Sequence, residues 1–175
     1  QGVTLEVMGE GFSMGPLNEA MKKEVKAQQG DVQFDVAWTT LGEYLDHLVR
    51  RGISPNVASF VGATTVRVHE IGYADRPPTP AELERMRALV RQAMEEGALG
   101  VGSSLIYAPA FYAGTDELVA LCEVAGQSGG IRVALTSDVT GDHLKALQSN
   151  GRMDVSLDTD DSRQIFRLLG LDRVA

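Results

Sequence analysis

The sequence predicts an α/β fold in which a parallel β-sheet is covered by helices. Short apolar runs of strand-like composition alternate along the chain with longer amphipathic segments. Two of these segments open with a capping box, a threonine followed three residues later by a glutamate, at Thr40 and Glu43 and again at Thr79 and Glu82. Both a barrel and an open sheet fit this alternation.

Apolar runs without helical periodicity are predicted to form the strands. They are Val3–Met8, Val57–Gly62, Leu99–Leu105, Ile131–Leu135 and Val155–Leu157. Crossover connections place sequential parallel strands side by side. We therefore expect the first four runs to be neighbouring parallel strands of one sheet.

The intervening segments are predicted to be helices. The two capping boxes start helices over Thr40–Gly52 and Thr79–Gly97, and each helix ends at its glycine. Thr115 is predicted to cap a third helix, which ends near Gly129. Further helical stretches are predicted through Met21 and Val25, over Asp142–Ser149 and over Ser162–Leu169.

Composition excludes several classes of protein. The formal net charge of −8 argues against binding to nucleic acid, because phosphate contacts need clustered Lys and Arg. A single cysteine, Cys122, excludes an internal disulfide and favours a reducing, cytoplasmic compartment. No apolar run reaches the roughly 20 residues of a membrane-spanning helix. The chain opens at Gln1 without an initiator Met or a signal peptide, so we expect a segment of a longer protein.

A carboxylate follows the first predicted strand directly. Glu10 lies between Gly9 and Gly11 in a loop that runs on to Pro16. The carboxyl ends of parallel strands are where α/β enzymes place their active sites, and glycines allow the backbone to approach a metal or substrate closely. Glu10 is therefore a candidate site residue, and an ordinary exposed loop glutamate is the alternative interpretation.

The glycines of this loop also fit a second hypothesis, a dinucleotide-binding turn. Their G-x-G-x-x-x-G spacing follows a strand, and Asp31 and Asp35 lie roughly where a ribose-binding acid is found. Pro16 occupies the start of the helix that should receive the pyrophosphate, and Phe12 is bulky for a phosphate loop. The dinucleotide hypothesis is therefore the weaker one.

A second candidate loop follows the third predicted strand, within Gly100–Pro109. Tyr107 can donate a hydrogen bond to a developing oxyanion from this edge of the sheet, so it is the candidate catalytic residue. A core or lid tyrosine is the alternative. Ser103 and Ser104, at the end of the same strand, are candidates for binding the substrate.

The histidines form no H-x-H, H-E-x-x-H or Cys-containing metal motif. His47 and His143 are predicted on helix surfaces. His69 follows the second strand at some distance and is a candidate for the edge of the sheet. For each of them a structural role is the alternative to metal binding.

Residues 1 to about 130 resemble the N-acyl-D-amino-acid deacylase (D-aminoacylase) branch of the amidohydrolase superfamily. No single motif is specific, but several occur together and in the family's order. The segments that carry the resemblance are 2–11, 55–62 and 97–109, followed by Tyr112 and 115–118.

This resemblance implies a partial (β/α)-barrel with a parallel sheet and covering helices. It also implies a zinc-dependent enzyme that hydrolyses the amide bond of small N-acyl-D-amino acids or related amides. Glu10 matches a position where many members carry a metal-binding cysteine, so the resemblance makes it the candidate metal ligand. Tyr107 matches a family tyrosine near the substrate.

The sequence also departs from the family. The family's H-x-H is absent, Ala63 stands where many members have a histidine, and the strand at 131–138 carries no histidine. Residues 131–175 are therefore expected to be an unassigned βα-like tail, and the zinc site is expected to be incomplete.

These departures lead us to expect a fragment that is inactive alone and that self-associates through unpaired barrel edges. A non-catalytic α/β binding or scaffold module is the alternative. Metal content distinguishes the two, because an enzyme of this family should hold zinc stoichiometrically.

Overall fold

The structure, a computed structural model, describes residues 2–135 and 155–157. Six strands lie in this part of the chain: β1 (Leu5–Met8), β2 (Asn56–Ser59), β3 (Val61–Gly62), β4 (Gly100–Ser103), β5 (Ile131–Leu135) and β6 (Val155–Leu157). The helices are α1 (Glu19–Ala27), α2 (Leu41–Arg51), α3 (Ala63–Ile71), α4 (Pro80–Glu95) and α5 (Thr115–Gln127), with a short 3-10 helix at Ala110–Tyr112. The two helices predicted in the tail lie outside the described residues.

All neighbouring strands run parallel, as the sequence predicts. One sheet pairs β1 with β2, and a second has the order β3-β4-β5-β6. The expectation of one continuous sheet is wrong, because Phe60 interrupts the predicted strand 57–62 and divides it into β2 and β3. Backbone hydrogen bonds from Phe60 N to Met8 O (2.8 Å) and from Leu99 N to Ser59 O (2.9 Å) flank this break. The α/β class with a parallel sheet is confirmed, and the barrel remains a prediction.

Both predicted capping boxes are present. The Thr40 hydroxyl accepts from Glu43 N (3.2 Å), and the Thr79 hydroxyl accepts from Glu82 N (3.3 Å). Thr115, by contrast, is not the cap of α5. Gly114 occupies that position without a side-chain hydrogen bond, and Thr115 is the first helical residue.

Helix α3 is missed by the sequence analysis. Four of its first six residues are β-branched (Thr64, Thr65, Val66 and Val68), and this residue type has low helix propensity. Gly62 caps the helix without a side-chain bond. All residues from Ala63 to Val68 are buried, so tertiary packing stabilises this helix in place of local propensity.

The core lies between the second sheet and helices α3, α4 and α5. Its fully buried members include Val61, Val66, Met86, Val90, Val101 and Leu121. A smaller cluster packs around Trp38 and contains Leu17, Met21 and Val68. None of the described helices is long and apolar enough to cross a membrane.

Candidate functional site

The loop after β1 lies in direct backbone contact with the ends of β3 and β4. Gly9 has φ +89°, a conformation that favours glycine, and a side chain there would overlap the carbonyl of Phe60. A Cβ on Gly62 would overlap the Gly11 carbonyl, and one on Gly102 would overlap the Gly9 carbonyl. Absence of side chains at these positions is what allows the loop to cross the sheet so closely.

Hydroxyl groups hold this loop in place. The buried Ser13 accepts a hydrogen bond from Gly62 N (2.9 Å), and Ser13 N donates to the Thr65 hydroxyl (2.7 Å). Thr64 N donates to the Gly11 carbonyl (3.2 Å). Ser13, Thr64 and Thr65 are not among the residues predicted from the sequence. The available signal was a hydroxyl inside the glycine-rich loop and a Thr-Thr pair shortly after a strand.

We call residues 9–16, 61–65 and 103–115 the rim, since they contain the carboxyl ends of the parallel strands β3 and β4 and the segments that follow β1, β3 and β4. Glu10 is exposed, and its carbonyl oxygen lies 3.0 Å from the place that a Cβ on Gly102 would occupy. Tyr107 is 64% exposed in the loop that follows β4. The two candidate residues thus belong to adjacent loops, which follow the carboxyl ends of β1 and β4. That their side chains face a shared cleft stays a prediction.

The two candidate serines have different environments. Ser103 is fully buried, and its hydroxyl has no hydrogen-bond partner among the described residues. Ser104 is partly exposed, and its Cβ lies 3.1 Å from the place that a Cβ on Gly11 would occupy. Ser104 therefore reaches the rim surface, whereas Ser103 lies beneath it. Binding of substrate by either serine remains a prediction.

A buried ion pair lies under the rim. Arg67 of α3 and Glu117 of α5 are 1% and 5% exposed, and Arg67 Nη1 lies 2.5 Å from Glu117 Oε2. Arg67 Nη2 also donates to the carbonyls of Arg76 (2.6 Å) and Ala74 (3.2 Å). Burial raises the pKa of Glu117 above its ordinary value, and the Arg67 guanidinium opposes that rise. Because Glu117 lies in the first turn of α5, this pair fixes the point at which the Tyr107 loop ends.

Ser103, Arg67 and Glu117 line one narrow crevice together with Thr64, Ala63, Ala110, Ala113 and Leu118. The end of β4 and the start of α5 therefore line the same buried crevice. The ion pair itself holds the α5 end of the loop that carries Tyr107.

His69 does not lie at the rim. It occupies the last turn of α3, a helix that starts at the rim and runs away from it, and its ring contacts Glu70 (Nδ1 to Oε1, 3.0 Å). His47 is half-buried, and its ring centroid lies 4.9 Å from that of Trp38. His47 and Trp38 line a surface pocket of about 230 Å³ on α2 to which no predicted site residue contributes.

The glycine turn does not open a helix. Helix α1 begins only at Glu19, and its cap is Asn18, whose side chain accepts from Met21 N (3.0 Å). A dinucleotide site needs the helix N-terminus directly at the turn, where its N–H groups face the pyrophosphate. The dinucleotide hypothesis is therefore not supported.

Residues 2–135 and 155–157 do not fit a catalytic zinc site. They contain no group of three or more His, Cys, Asp or Glu side chains that could hold a metal ion. Catalytic zinc usually has three protein ligands and an open position for water. Glu10 is the one position in the described rim that carries a charged side chain, and it does not form such a group.

Known proteins resemble this chain over most of its length. A D-aminoacylase of Alcaligenes xylosoxydans xylosoxydans is 32% identical over 163 residues, which cover 90% of this chain and 33% of that protein. An N-acyl-D-aspartate deacylase of the same organism is 33% identical over 146 residues, 82% of this chain and 29% of the relative. The chain thus spans about a third of the length of these curated relatives. No protein-family model matches it.

Solved structures share the fold. A D-aminoacylase studied for the role of its binuclear metal centre superposes with a TM-score of 0.68 at 24% identity, covering 91% of this chain and 42% of the other. N-acyl-D-glutamate deacylase from Bordetella bronchiseptica, complexed with zinc and a phosphonate inhibitor, gives 0.69 at 23% identity, covering 98% and 39%.

Fold and rim together define a parallel α/β protein whose candidate site is built from loops at the strand ends. Sequence similarity relates the chain to one part of a D-aminoacylase and of an N-acyl-D-aspartate deacylase, and the solved structures show that the fold is shared. The similarity covers 90% of the chain, so it extends past the first 130 residues in which the recognised motifs lie.

The backbone contact between loop and sheet predicts the effect of one added methyl group. Gly102→Ala should lower the free energy of unfolding by about 1–3 kcal/mol, because Cβ and the Gly9 carbonyl cannot both keep their places. Gly30→Ala is the matched control, since nothing lies near its added Cβ, and it should change stability by about 0.5 kcal/mol or less. Urea denaturation measures both. Equal stability of the two variants would contradict the described contact.

The buried ion pair predicts a large and pH-dependent effect of Arg67→Met. Removing the guanidinium leaves a buried carboxyl and two carbonyls unpartnered, so we expect a loss of about 3–5 kcal/mol near neutral pH. The pKa of Glu117 should rise further. A carboxyl with a raised folded-state pKa adds stability below its ordinary pKa of 4.5, and that stability disappears as the pH rises through the raised value.

The stability deficit of Arg67→Met should therefore be smaller below about pH 4.5 than near neutrality. The double variant Arg67→Met/Glu117→Leu should recover part of the loss and lose this pH dependence. Urea denaturation across this pH range is the measurement. A deficit that stays constant with pH would show that Glu117 does not titrate as argued.

Proposed function

We propose that this chain forms part of the substrate-binding rim of a zinc-dependent amidohydrolase that removes the acyl group from N-acyl-D-amino acids. One observation carries the proposal: the glycine loop crosses the strand ends and places Glu10 beside Gly102, in the loop adjacent to Ser104 and Tyr107. The names of the relatives, D-aminoacylase and N-acyl-D-aspartate deacylase, supply the reaction and the substrate class. The activity of a whole enzyme is part of this proposal, because the chain spans a third of those relatives.

Each candidate residue has a role in the proposal. The Tyr107 hydroxyl donates a hydrogen bond to the oxygen that becomes negatively charged when the amide carbonyl is attacked. Ser104 binds the substrate at the rim surface, and Ser103 supports it from below. Arg67 and Glu117 position the Tyr107 loop without touching the substrate.

Zinc belongs to the proposed enzyme but is not held by the described residues alone. Glu10 would supply one oxygen ligand, and tight binding needs several preorganised donors. No step of the reaction is therefore assigned to zinc in this part of the chain.

We also propose that the protein is cytoplasmic and that copies of the chain self-associate through an unpaired strand edge. A single, buried cysteine, Cys122, supports a cytoplasmic location. Among the described strands β1 pairs only with β2, and Leu5 and Val7 on β1, like Val3 just before it, are each at least 50% exposed. An apolar strand with a free edge supports self-association between copies of the chain.

Ligand binding tests the proposed substrate class. In a nuclear magnetic resonance titration of the full chain, N-acetyl-D-phenylalanine should produce saturable shifts confined to the rim, and the L enantiomer should bind more weakly. Tyr107→Phe keeps the ring and removes the hydroxyl, so it should leave the fold intact. It should reduce the change in chemical shift of the ligand's amide carbonyl on binding. If neither enantiomer binds saturably, the proposal is wrong.

Metal content provides an independent test. The full chain, dialysed after loading with zinc, should retain much less than one zinc ion per chain, because the described residues bring together no set of three donors. It should hydrolyse N-acetyl-D-amino acids no faster than the Glu10→Gln variant. Stoichiometric zinc, with turnover that Glu10→Gln abolishes, would instead show a complete site supplied by the remaining residues or by a second copy.

Self-association is tested at the free edge. Leu5→Lys should shift the sedimentation coefficient towards that of the monomer, because a charge on an edge strand opposes pairing. Val32→Lys, at another exposed apolar position, is the control and should leave assembly unchanged. Identical sedimentation of the wild type and the Leu5 variant as monomers would exclude assembly through β1.

A further inference from the structure

The surface pocket on α2 is a cavity outside the three segments of the rim. It has a volume of about 230 Å³ and is lined by Ala37, Trp38, Glu43, Asp46, His47 and Arg50. Drug-sized ligands occupy cavities of roughly 300–1,000 Å³, so this one fits a smaller molecule. None of its lining residues has a role in the proposed amide hydrolysis.

Four of the lining residues lie on one face of α2. Positions 43, 46, 47 and 50 are three or four residues apart, so helix geometry brings their side chains together. Glu43 and Asp46 are carboxylates, Arg50 is a guanidinium, and His47 offers ring nitrogens. The cavity therefore carries both signs of charge.

Three of these polar groups have hydrogen-bonding capacity to spare. Within the part of the chain that the structure describes, the side chains of Asp46 and Arg50 make no hydrogen bond and no ion pair, although an aspartate four residues before an arginine can form one on a helix. The His47 ring packs against Trp38, and its nitrogens make no hydrogen bond there. The described acidic and histidine side chains form no group of three that could hold a metal ion, which leaves an organic ligand.

The walls of the cavity are fixed in the protein itself. Trp38 is 3% exposed, and its Nε1 donates to the carbonyl of Met14 (2.7 Å). Glu43 accepts from Thr39 N (2.6 Å) and Thr40 N (3.1 Å), and these bonds hold its pKa below the ordinary value and keep it charged. A preformed wall lowers the entropy that a ligand must overcome on binding.

We infer that this cavity binds a small zwitterion, a free α-amino acid, with its ammonium group at Asp46 and its carboxylate at Arg50. Each end of the ligand then makes a charge-assisted hydrogen bond, and Ala37 and Trp38 contact its side chain. Hydrolysis of an N-acyl-D-amino acid releases a carboxylic acid and a free D-amino acid, so the ligand class includes a product of the proposed reaction. Only this last link rests on the proposed function.

The test uses the fluorescence of Trp38, the single tryptophan of the chain. The full chain is titrated with D-leucine, with N-acetyl-D-leucine, which lacks the ammonium group, and with D-leucinamide, which lacks the carboxylate. D-leucine should produce a saturable change in fluorescence and in the amide chemical shifts of residues 43–50. Each analogue should bind there about tenfold more weakly, because it loses one charge-assisted hydrogen bond.

Variants assign each end of the ligand to its residue. Arg50→Gln should weaken binding of D-leucine about tenfold and leave that of D-leucinamide unchanged. Asp46→Asn should weaken binding of D-leucine equally and leave that of N-acetyl-D-leucine unchanged. Both residues are exposed, so both variants should fold like the wild type. Arg51→Gln removes the same charge at the next position, outside the cavity, and should change no affinity.

Each outcome decides the inference. If D-leucine changes neither signal saturably, or if the analogues bind at residues 43–50 as tightly as D-leucine, the inference is wrong and these charges form an ordinary solvated helix face. Equal effects of Arg50→Gln and Arg51→Gln would also overturn it. If D-leucine shifts only the amides of the rim, it binds there as a product, which overturns the inference and supports the proposed function. Binding of N-acetyl-D-phenylalanine at the rim decides the proposed function separately.

Discussion

The structure depends on a contact between backbones. Gly9 and Gly11 carry the β1 loop across Gly62 and Gly102 at a distance that leaves no room for side chains. Close approach of this kind requires glycine at the positions where the loop crosses the strands, and it fixes where the loop after β1 lies. The hydroxyls of Ser13 and Thr65 then satisfy polar groups that the crossing would otherwise leave buried without partners.

A second constraint acts from below. The rim loop between β4 and α5 starts at buried Ser103 and ends beside buried Glu117. Arg67 joins this end to the segment after α3 through the carbonyls of Ala74 and Arg76. Buried charges are retained only when they are paired and hydrogen-bonded, which makes this anchor costly to alter. The exposed loop that carries Tyr107 is therefore buried at both of its ends.

The sequence patterns predicted those features of the fold that local interactions determine. The boxes at Thr40 and Thr79 start their helices as expected, and the strands run parallel because the alternation of elements leaves few other topologies. Glu10 was placed at a strand end for the same reason. Helix α3, the break at Phe60, the burial of Ser103 and the Arg67–Glu117 pair could not be predicted, because each depends on residues about 50 positions away in the chain or on packing.

The contact between the β1 loop and the sheet has a consequence for how such a protein can diverge. Because glycine backbones and two hydroxyls make that contact, the outward side chains of the loop contribute little to holding it. Positions such as 10 and 12 are thus free to accept new residues while the scaffold stays unchanged. Selection can exchange a cysteine for a glutamate, or an aromatic residue for a cation, in a single step with little loss of stability. A family built on this crossing can explore new substrates without first having to redesign its fold.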